Sequence, residues 1–548
     1  MKTDFIFILF LIFWLIAFNK KFLFWVYLWQ LKEYHFGRFF AHFETRKGKN
    51  LIFDKLLLLK MLFVLGIALN FQFSRIPLLL LFFTESVLAF NHFRKRTLKK
   101  PVLTSKIIAI ISTGFLFQIL IISHLLEAYD SARLTVLILL FLDIFIVLFS
   151  SFCVFLWHPL SYLWRLKIIK EAKRKREKLK NLLVIGITGS YGKTSTKAIL
   201  TLILSKKYKV LETKFHLNSE VGISRCILKY LKPEHEIFVC EMGAYNKGGI
   251  KLLSEIAKPK MGILTGINEQ HMATFGSKEN IIKTKFELLE ALPEDGVAVL
   301  NWESPPIRNY FESKKANLKH SFSKEHFKSK IIKYSLSKDG DISVKNIRTE
   351  KEYISFDLLS KNDSIFFKVN LPGSHNVLNL LGAVLTAREV GMSLKEISEA
   401  CKDITFGLSG MNLIKRQGGL NVADASYSAN PNGVISHLNY LKTWQGKKII
   451  IMPCLIELGN SSNKIHEEIG KKIGEVCDLA IITTEDRFEN IKKGWQDTAR
   501  NSSEIIFEDN PRTILEKIRI FTKENENPEN IILLESRIPK KVTEVLTS

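Results

Sequence analysis

Five apolar runs precede residue 165: Phe5–Phe18, Leu56–Phe71, Ile76–Phe90, Ile107–Leu126 and Leu134–Trp157. They constrain the fold more than any other feature, because so much contiguous apolar surface must be covered by lipid or by other helices. A helix needs about 20 apolar residues to cross about 30 Å of hydrocarbon. Ile107–Leu126 and Leu134–Trp157 reach that length. The first three are short or interrupted by Lys60 and Glu85, and are expected to lie tilted, re-entrant or interfacial. No small-residue cleavage site follows Phe5–Phe18, so that run is expected to be retained and not removed as a signal peptide.

Charge orients these runs. Residues 91–106 carry six Lys/Arg and no acid, whereas "EAYDSAR" (127–133) is mildly acidic. Basic loops stay on the cytoplasmic side, so Leu134–Trp157 returns the chain to the cytoplasm and everything after it is cytoplasmic. The expected setting is a multi-pass protein of the inner (cytoplasmic) membrane. Much of the net charge of +25 flanks apolar segments, as in "RLKIIKEAKRKREKLK" (165–180), with nine Lys/Arg against two Glu. That position suits an anionic lipid surface. Without a nucleic-acid-binding motif, nucleic acid is not an expected partner. The aromatic and charged segment 24–43 suits the membrane interface. Six scattered cysteines form no C-x-x-C pair, which argues for reduced buried thiols over disulfides or a metal site.

At 548 residues the chain has room for three or four domains. From Leu182 short buried-strand runs ("NLLVIGIT", "EIFVCEMGA", "KMGILTGIN") alternate with helical stretches, which argues for a parallel sheet covered by helices. Residues 320–370 have the alternation and turn signals of antiparallel strands. A second α/β unit starts near Gly419, with "GGLNVADAS", "KKIIIMPCL" and "LAIITTE" as strands. The expected divisions are a transmembrane or interfacial helical domain at 1–164, a basic linker helix at 165–181, a central nucleotide-binding domain at 182–408 and a Rossmann-like domain at 409–548.

"VIGITGSYGKTSTKAIL" (184–200) joins a strand, a glycine-rich turn and a helix. That geometry aims backbone N–H groups and a helix N-terminus at a phosphate. Lys193 would reach the β- and γ-phosphates, and the Thr194 hydroxyl would bind Mg²⁺. The general phosphate-loop pattern needs glycine where Ile187 stands; here Gly186, Gly189 and Gly192 recur at three-residue intervals. An acid at the end of a buried strand, Glu241 in "VCEMGAYNKGGI" (239–250), can face such a loop across a Mg²⁺.

The loop G-I-T-G-S-Y-G-K-T-S resembles the ATP loop of the Mur ligase family, which joins amino acids or peptides to a carboxylate in cell-wall precursor synthesis. Further stretches resemble that family in order: "HLNSEVG" (216–222), "EMGA…GGI", "GINEQHMATFGSKENIIKTKFELLE" (266–290), "LPGSHNVLNLLGAVLTAREVGMSLKEI" (371–397), "DASYSANPNGV" (424–434) and "MPCLIELGNSSNKIHEEIG" (452–470). They are most similar to the branch that adds D-alanyl-D-alanine.

The resemblance implies a central P-loop domain with a parallel and a small antiparallel sheet, a C-terminal Rossmann-like domain, and ATP and Mg²⁺ as cofactors. It implies Lys193, Glu241, His271 and Lys285 as catalytic, with Thr194, Glu241 and His271 on metal and Lys285 open to carbamylation by CO₂. Gly189, Ser190, Gly192, Lys193, Thr194, Ser195 and Asp424 would bind the nucleotide, with His375, Asn376 and Asn379 facing the adenine. Asn218, Tyr427, Asn430 and Glu457 would hold substrate, a cell-wall precursor carboxylate and an amine or dipeptide.

Three departures stand out. Gly410 or Met411 occupies the place of the family's Gly-Arg arginine. The paired acids of D-D-S-Y-N become Asp424 and Ala425, and Ser428 replaces the Asn. A hydrophobic region replaces the soluble UDP-sugar-binding domain. Lys415 or Arg416 would be the candidate to replace the arginine, at a different reach. Two other readings stand beside the D-alanyl-D-alanine ligase: a Mur-type ligase acting on a different or lipid-linked carboxylate, and an ATP-binding membrane scaffold without ligase activity.

Overall fold

The structure, a computed structural model, describes residues 5–43, 45–53, 55–69, 75–128, 132–214, 217–317, 327–337, 339–360, 364–405, 410–415, 420–426, 430–523 and 527–547. It divides into two compact units, Met1–Lys167 and Ile168–Ser548.

The first unit is helical: α1 (Phe5–Leu31), α2 (Phe36–His42), α3 (Arg46–Ile52), α4 (Lys55–Ala68), α5 (Arg75–Arg94), α6 (Ser105–Ala128), α7 (Ala132–Ile144) and α8 (Ile146–Leu156), followed by α9 (His158–Lys178). Among the described residues four stretches are long and apolar enough to cross a membrane: Phe5–Leu31, Ile76–Arg94, Ser105–Glu127 and Ile146–Lys178. Three expectations change. The run Ile76–Phe90, expected to be short, lies in a stretch long enough to cross, Ile76–Arg94. The run Phe5–Phe18, expected to be short, opens the longest helix of the unit. Leu134–Trp157, expected to be one span, breaks at Phe145 into α7 and α8.

Ion pairing across helices explains how α1 carries Lys21 in its middle. Lys21 Nζ lies 2.8 Å from both Glu85 Oε2 and Asp143 Oδ1. Lys60 Nζ lies 2.8 Å from Glu85 Oε1 and 2.6 Å from Asp143 Oδ2. The charges that interrupt the apolar pattern are therefore one another's partners, two cations and two anions. Ionisable groups at membrane depth need such partners. Both ammonium groups stand near the buried Phe82 ring, 5.8 and 5.0 Å from its centroid, while Leu62, Phe90, Ile119 and Leu148 leave apolar surface outside.

The second unit begins with β1 (Leu183–Thr188), α10 (Lys193–Leu204), β2 (Val210–Glu212), α11 (Glu220–Tyr230), β3 (Ile237–Glu241), α12 (Gly249–Ala257), β4 (Met261–Leu264), α13 (Met272–Phe275), α14 (Lys278–Glu290), β5 (Val297–Asn301), α15 (Pro305–Asn317) and β6 (Lys330–Tyr334). These strands form one parallel sheet in the order β2-β3-β1-β4-β5-β6. Successive residues of β1 feed opposite cores, Val184 one face and Ile185 and Ile187 the other, as two-sided burial requires. "KIIKY" is β6, so its expected antiparallel pairing is corrected: it lies parallel to β5, with Leu300 opposite Lys333.

The antiparallel sheet is limited to β7 (Ser343–Thr349), β8 (Ile354–Leu359) and β9 (Ser364–Val369). Helices α16 (His375–Val390) and α17 (Leu394–Cys401) pack on the same core, α17 opening with a capping box at Ser393 and Glu396.

The last domain contains β10 (Asn412–Ile414), β11 (Leu420–Ala425), α18 (Pro431–Leu441), β12 (Lys448–Met452), α19 (Ser462–Val476), β13 (Leu479–Ile482), α20 (Phe488–Gln496), β14 (Glu504–Phe507), α21 (Pro511–Lys523), β15 (Asn530–Glu535) and α22 (Lys540–Thr547). Its sheet order is β10-β11-β15-β12-β13-β14, parallel except for the edge strand β10. All six cysteines are free and buried.

Candidate functional site

Strand order turns around β1, whose neighbours are β3 and β4, and ligands of open α/β sheets bind beyond the carboxyl ends of strands at such a switch point. The loop leaving β1 has the backbone for it. Gly189 has φ 154° and Gly192 φ 78°, and a Cβ on Gly192 would lie 2.5 Å from Asn379 Oδ1. Only glycine takes both the left-handed turn and the close approach. Lys193 opens α10 and folds its ammonium back on the loop, 2.8 Å from the Gly189 carbonyl and 3.2 Å from that of Ser190. Burial pulls this lysine below its ordinary value, against the attraction of Glu241. Ser190 donates its N–H to the Gly266 carbonyl at 2.6 Å, and Ser195 lies in the first turn of α10.

Glu241, at the end of β3, is the most densely held acid of the site. Thr194 Oγ1 donates to its Oε2 at 3.0 Å, and Asn218 Nδ2 to its Oε1 at 3.0 Å. Its own N–H donates to Thr213 Oγ1. The loop 217–222 thus folds onto the acid itself, and Gly243 packs against Asn218. Lys197, which the motifs do not single out, is buried with Nζ 3.7 Å from Glu241 Oε2 and 3.9 Å from Glu212 Oε2. The available signal was a lysine one turn after Lys193 on the face of α10 that also buries Leu200 and Leu204.

His271, before α13, has a left-handed φ of 64°. Its Nδ1 lies 2.7 Å from Oε2 of Glu457, which is contributed by the last domain. Burial holds this imidazole below its usual value, while Glu457 works the other way. Lys285, on α14, is 4% exposed, and its Nζ lies 5.8 Å from the Phe275 ring centroid. Burial and then the charge of Lys193 lower it to about 7, so near neutrality much of it is the free amine.

At the opposite flank His375 begins α16. Burial and the neighbouring His437 push it down to about 3, and its Nδ1 is buried with no hydrogen-bond partner among the described residues. The His437 ring lies 5.7 Å away, edge to face, and bonds Glu535 at 2.7 Å. Burial raises the Glu535 carboxyl. Asn376 is fully buried and spends its amide on the Pro372 carbonyl, while Asn379 donates to Asn376. Both amides brace the loop–helix contact, and of the three residues expected at the adenine His375 alone keeps an unpartnered polar atom.

In the last domain Asp424 accepts the Ser426 N–H. Asn430 caps α18 by accepting the Gly433 N–H at 2.9 Å. Tyr427 and Ser428 lie outside the described residues, as does Arg416. Lys415 is ion-paired with Glu352 at the β7–β8 turn. The two departures meet: the β10–β11 register pairs Asn412 with Asp424, so one step further Met411 stands opposite Ala425. Both are buried in one apolar cluster. Gly410 is exposed, with φ 78°.

Among the described residues no group of three His, Cys, Asp or Glu could hold a metal ion unaided. That suits Mg²⁺, which usually takes one or two protein ligands and completes its shell with water and substrate phosphates. The hydroxyl of Thr194 with Glu241, the lysine on the loop and the orphaned His375 nitrogen fit a Mg²⁺–nucleotide.

Residues 187–387 match the Mur ligase middle domain and residues 411–534 the Mur ligase glutamate ligase domain. The chain belongs to the Mur ligase family. Within it, the chain is similar to the UDP-N-acetylmuramoyl-tripeptide–D-alanyl-D-alanine ligases of Bacillus subtilis (28% identical, 53% of this chain and 60% of that one) and Escherichia coli (26%, 53% and 61%). A MurF crystal structure from Acinetobacter baumannii superposes with a TM-score of 0.61 at 25% identity, covering 70% of this chain and 79% of that one. The chain spans about three fifths of the length of the curated relatives it matches.

Proposed function

We propose that this chain is an ATP-dependent ligase that adds D-alanyl-D-alanine to a UDP-muramoyl-tripeptide, anchored in the cytoplasmic membrane by residues 1–164. A basic linker (165–181) would join that anchor to a central ATP domain (182–408) and a closing domain (409–548) in the cytoplasm. The observation that carries the reading is the chain of bonds from Thr194 through Glu241 to Asn218 at the mouth of a phosphate loop.

In this mechanism the loop N–H groups and Lys193 grip the β- and γ-phosphates once the ammonium leaves the Gly189 and Ser190 carbonyls. Thr194, Glu241 and His271 would hold Mg²⁺, and a cation bound there would supply positive charge against the transferring phosphoryl group. A carboxylate oxygen of the tripeptide attacks the γ-phosphorus and ADP leaves. The dipeptide amine then attacks the acyl carbon, the amine loses a proton, and phosphate departs from the tetrahedral intermediate. Positioning and charge stabilisation carry the rate. Lys285, as free amine, would form a C–N bond with CO₂ and release one proton, turning a neutral amine into an anion beside the metal residues. By the family resemblance Asn430, Tyr427 and Glu457 would hold the incoming substrate, and closure of the last domain would keep water from the acyl phosphate.

The apolar unit, beside relatives matched over only three fifths of their length, also favours a second reading with a lipid-linked carboxylate. Purified full chain in detergent with ATP, Mg²⁺, UDP-muramoyl-tripeptide and D-alanyl-D-alanine should release phosphate only when both substrates are present. Lys193→Ala should cut that release at least about 100-fold, as loss of a transition-state charge contact does. Release with lipid-linked acceptors alone establishes the second reading. None with either acceptor leaves an ATP-binding scaffold.

A further inference from the structure

Glu457 touches the nucleotide side of the site from another domain. Its Oε2 bonds His271 Nδ1 at 2.7 Å, its carbonyl accepts the Ala273 N–H at 3.3 Å, and two residues later a Cβ on Gly459 would lie 3.0 Å from Met272 Cγ. Asn268, three residues before His271, bonds Asn432 of the same domain at 2.7 Å. Both members of the carboxylate–imidazole pair have left-handed φ, 64° for His271 and 66° for Glu457. Such backbone persists in non-glycine residues only where the surroundings over-determine it, and it gathers at functional sites. The Tyr245 ring stands edge-on to the imidazole at 4.8 Å and limits its rotation.

A carboxylate at Nδ1 has a definite consequence for an imidazole. It takes the Nδ1 proton as a hydrogen bond, selects that tautomer, and leaves the Nε2 lone pair for a cation. We propose that Glu457 is a positioning residue which, when the last domain is seated on the middle domain, locks His271 for binding a divalent cation through Nε2. Domain seating and cation affinity are then coupled, and by linkage each strengthens the other. The proposal rests on the ligase reading and adds to it the element that senses closure.

The test uses full chain in detergent with ADP, titrated with Mn²⁺ and followed by electron paramagnetic resonance. Wild type, Glu457→Gln, Glu457→Ala, His271→Ala and the double Ala variant are compared, each with its unfolding temperature. Glu457→Ala should weaken Mn²⁺ binding 10- to 100-fold, the usual effect of removing a second partner of a metal-binding imidazole. Glu457→Gln keeps an oxygen acceptor for Nδ1–H and should weaken it less. In the His271→Ala background Glu457→Ala should change nothing further. Unchanged Mn²⁺ affinity in Glu457→Ala, with only a lowered unfolding temperature, would make the contact a plain interdomain tie and overturn the proposal. A wild type that binds no ADP–Mn²⁺ at all overturns the ligase reading and this inference together.

Discussion

Met411 and Ala425 carry the clearest lesson about single residues. As letters they are two losses, an arginine and a carboxylate; in space they are cross-strand neighbours in one apolar core. Each therefore removes the reason for the other, since a lone buried charge would be strongly destabilising. Ala425→Asp alone should cost about 3 kcal/mol of stability, and Met411→Arg added to it should recover part of that. Denaturant unfolding of the four-member cycle measures the coupling. Lys285 is the second such residue. Its proton is held up to its ordinary value in the unfolded chain but only to about 7 in the folded one. Between those values the unfolded state binds more protons, so stability rises with pH there. Compared with Lys285→Met, wild type should gain stability from pH 7 upward, as pH-dependent unfolding would reveal. Lys197 was not legible, because nothing in a helical lysine signals which carboxylate it will meet.

At the scale of elements, legibility followed periodicity. The strands β1, β3 and β4 and the phosphate loop are visible in the sequence because their apolar runs end at glycine or polar residues. β6 departs from the antiparallel pairing its sequence suggests: "KIIKY" is followed by turn residues, and only its neighbour β5 decides that it pairs parallel. Among the helices, Lys60 and Glu85 look like defects until the four-charge network is seen. Lys60→Met should leave Glu85 and Asp143 sharing one cation, at a cost of about 3–5 kcal/mol. Lys60→Met with Glu85→Leu removes one charge of each sign and should restore most of it. Unfolding in detergent distinguishes the two, and equal losses in both would mean the pairs contribute little.

For the whole molecule, the order of parts matters more than any one part. Apolar helices come first, then the glycine-rich loop and its parallel sheet, then a domain that reaches back to His271 and Asn268 through Glu457 and Asn432. A second set of ties lies at the β7–β8 turn, where Lys351 pairs with Glu529, Glu352 with Lys415, and the Lys351 carbonyl accepts from Tyr440. Contacts on two sides hold the last domain seated. The first unit predicts behaviour on fractionation: the full chain should stay with membranes through high salt and alkaline carbonate, and leave only with detergent. Release by salt alone would mean that the basic stretch, and not the helices, does the anchoring.

By itself the sequence determined the class of the molecule. Three-residue glycine spacing, Lys193, Thr194, Glu241 and the later motifs are local patterns, and local patterns survive being read one residue at a time. Tertiary structure alone decided which charges meet: Lys21 and Lys60 with Glu85 and Asp143, Lys197 and Asn218 with Glu241, and Glu457 with His271. Electrostatic partners depend on distances across elements far apart in the chain, and no periodicity records those distances.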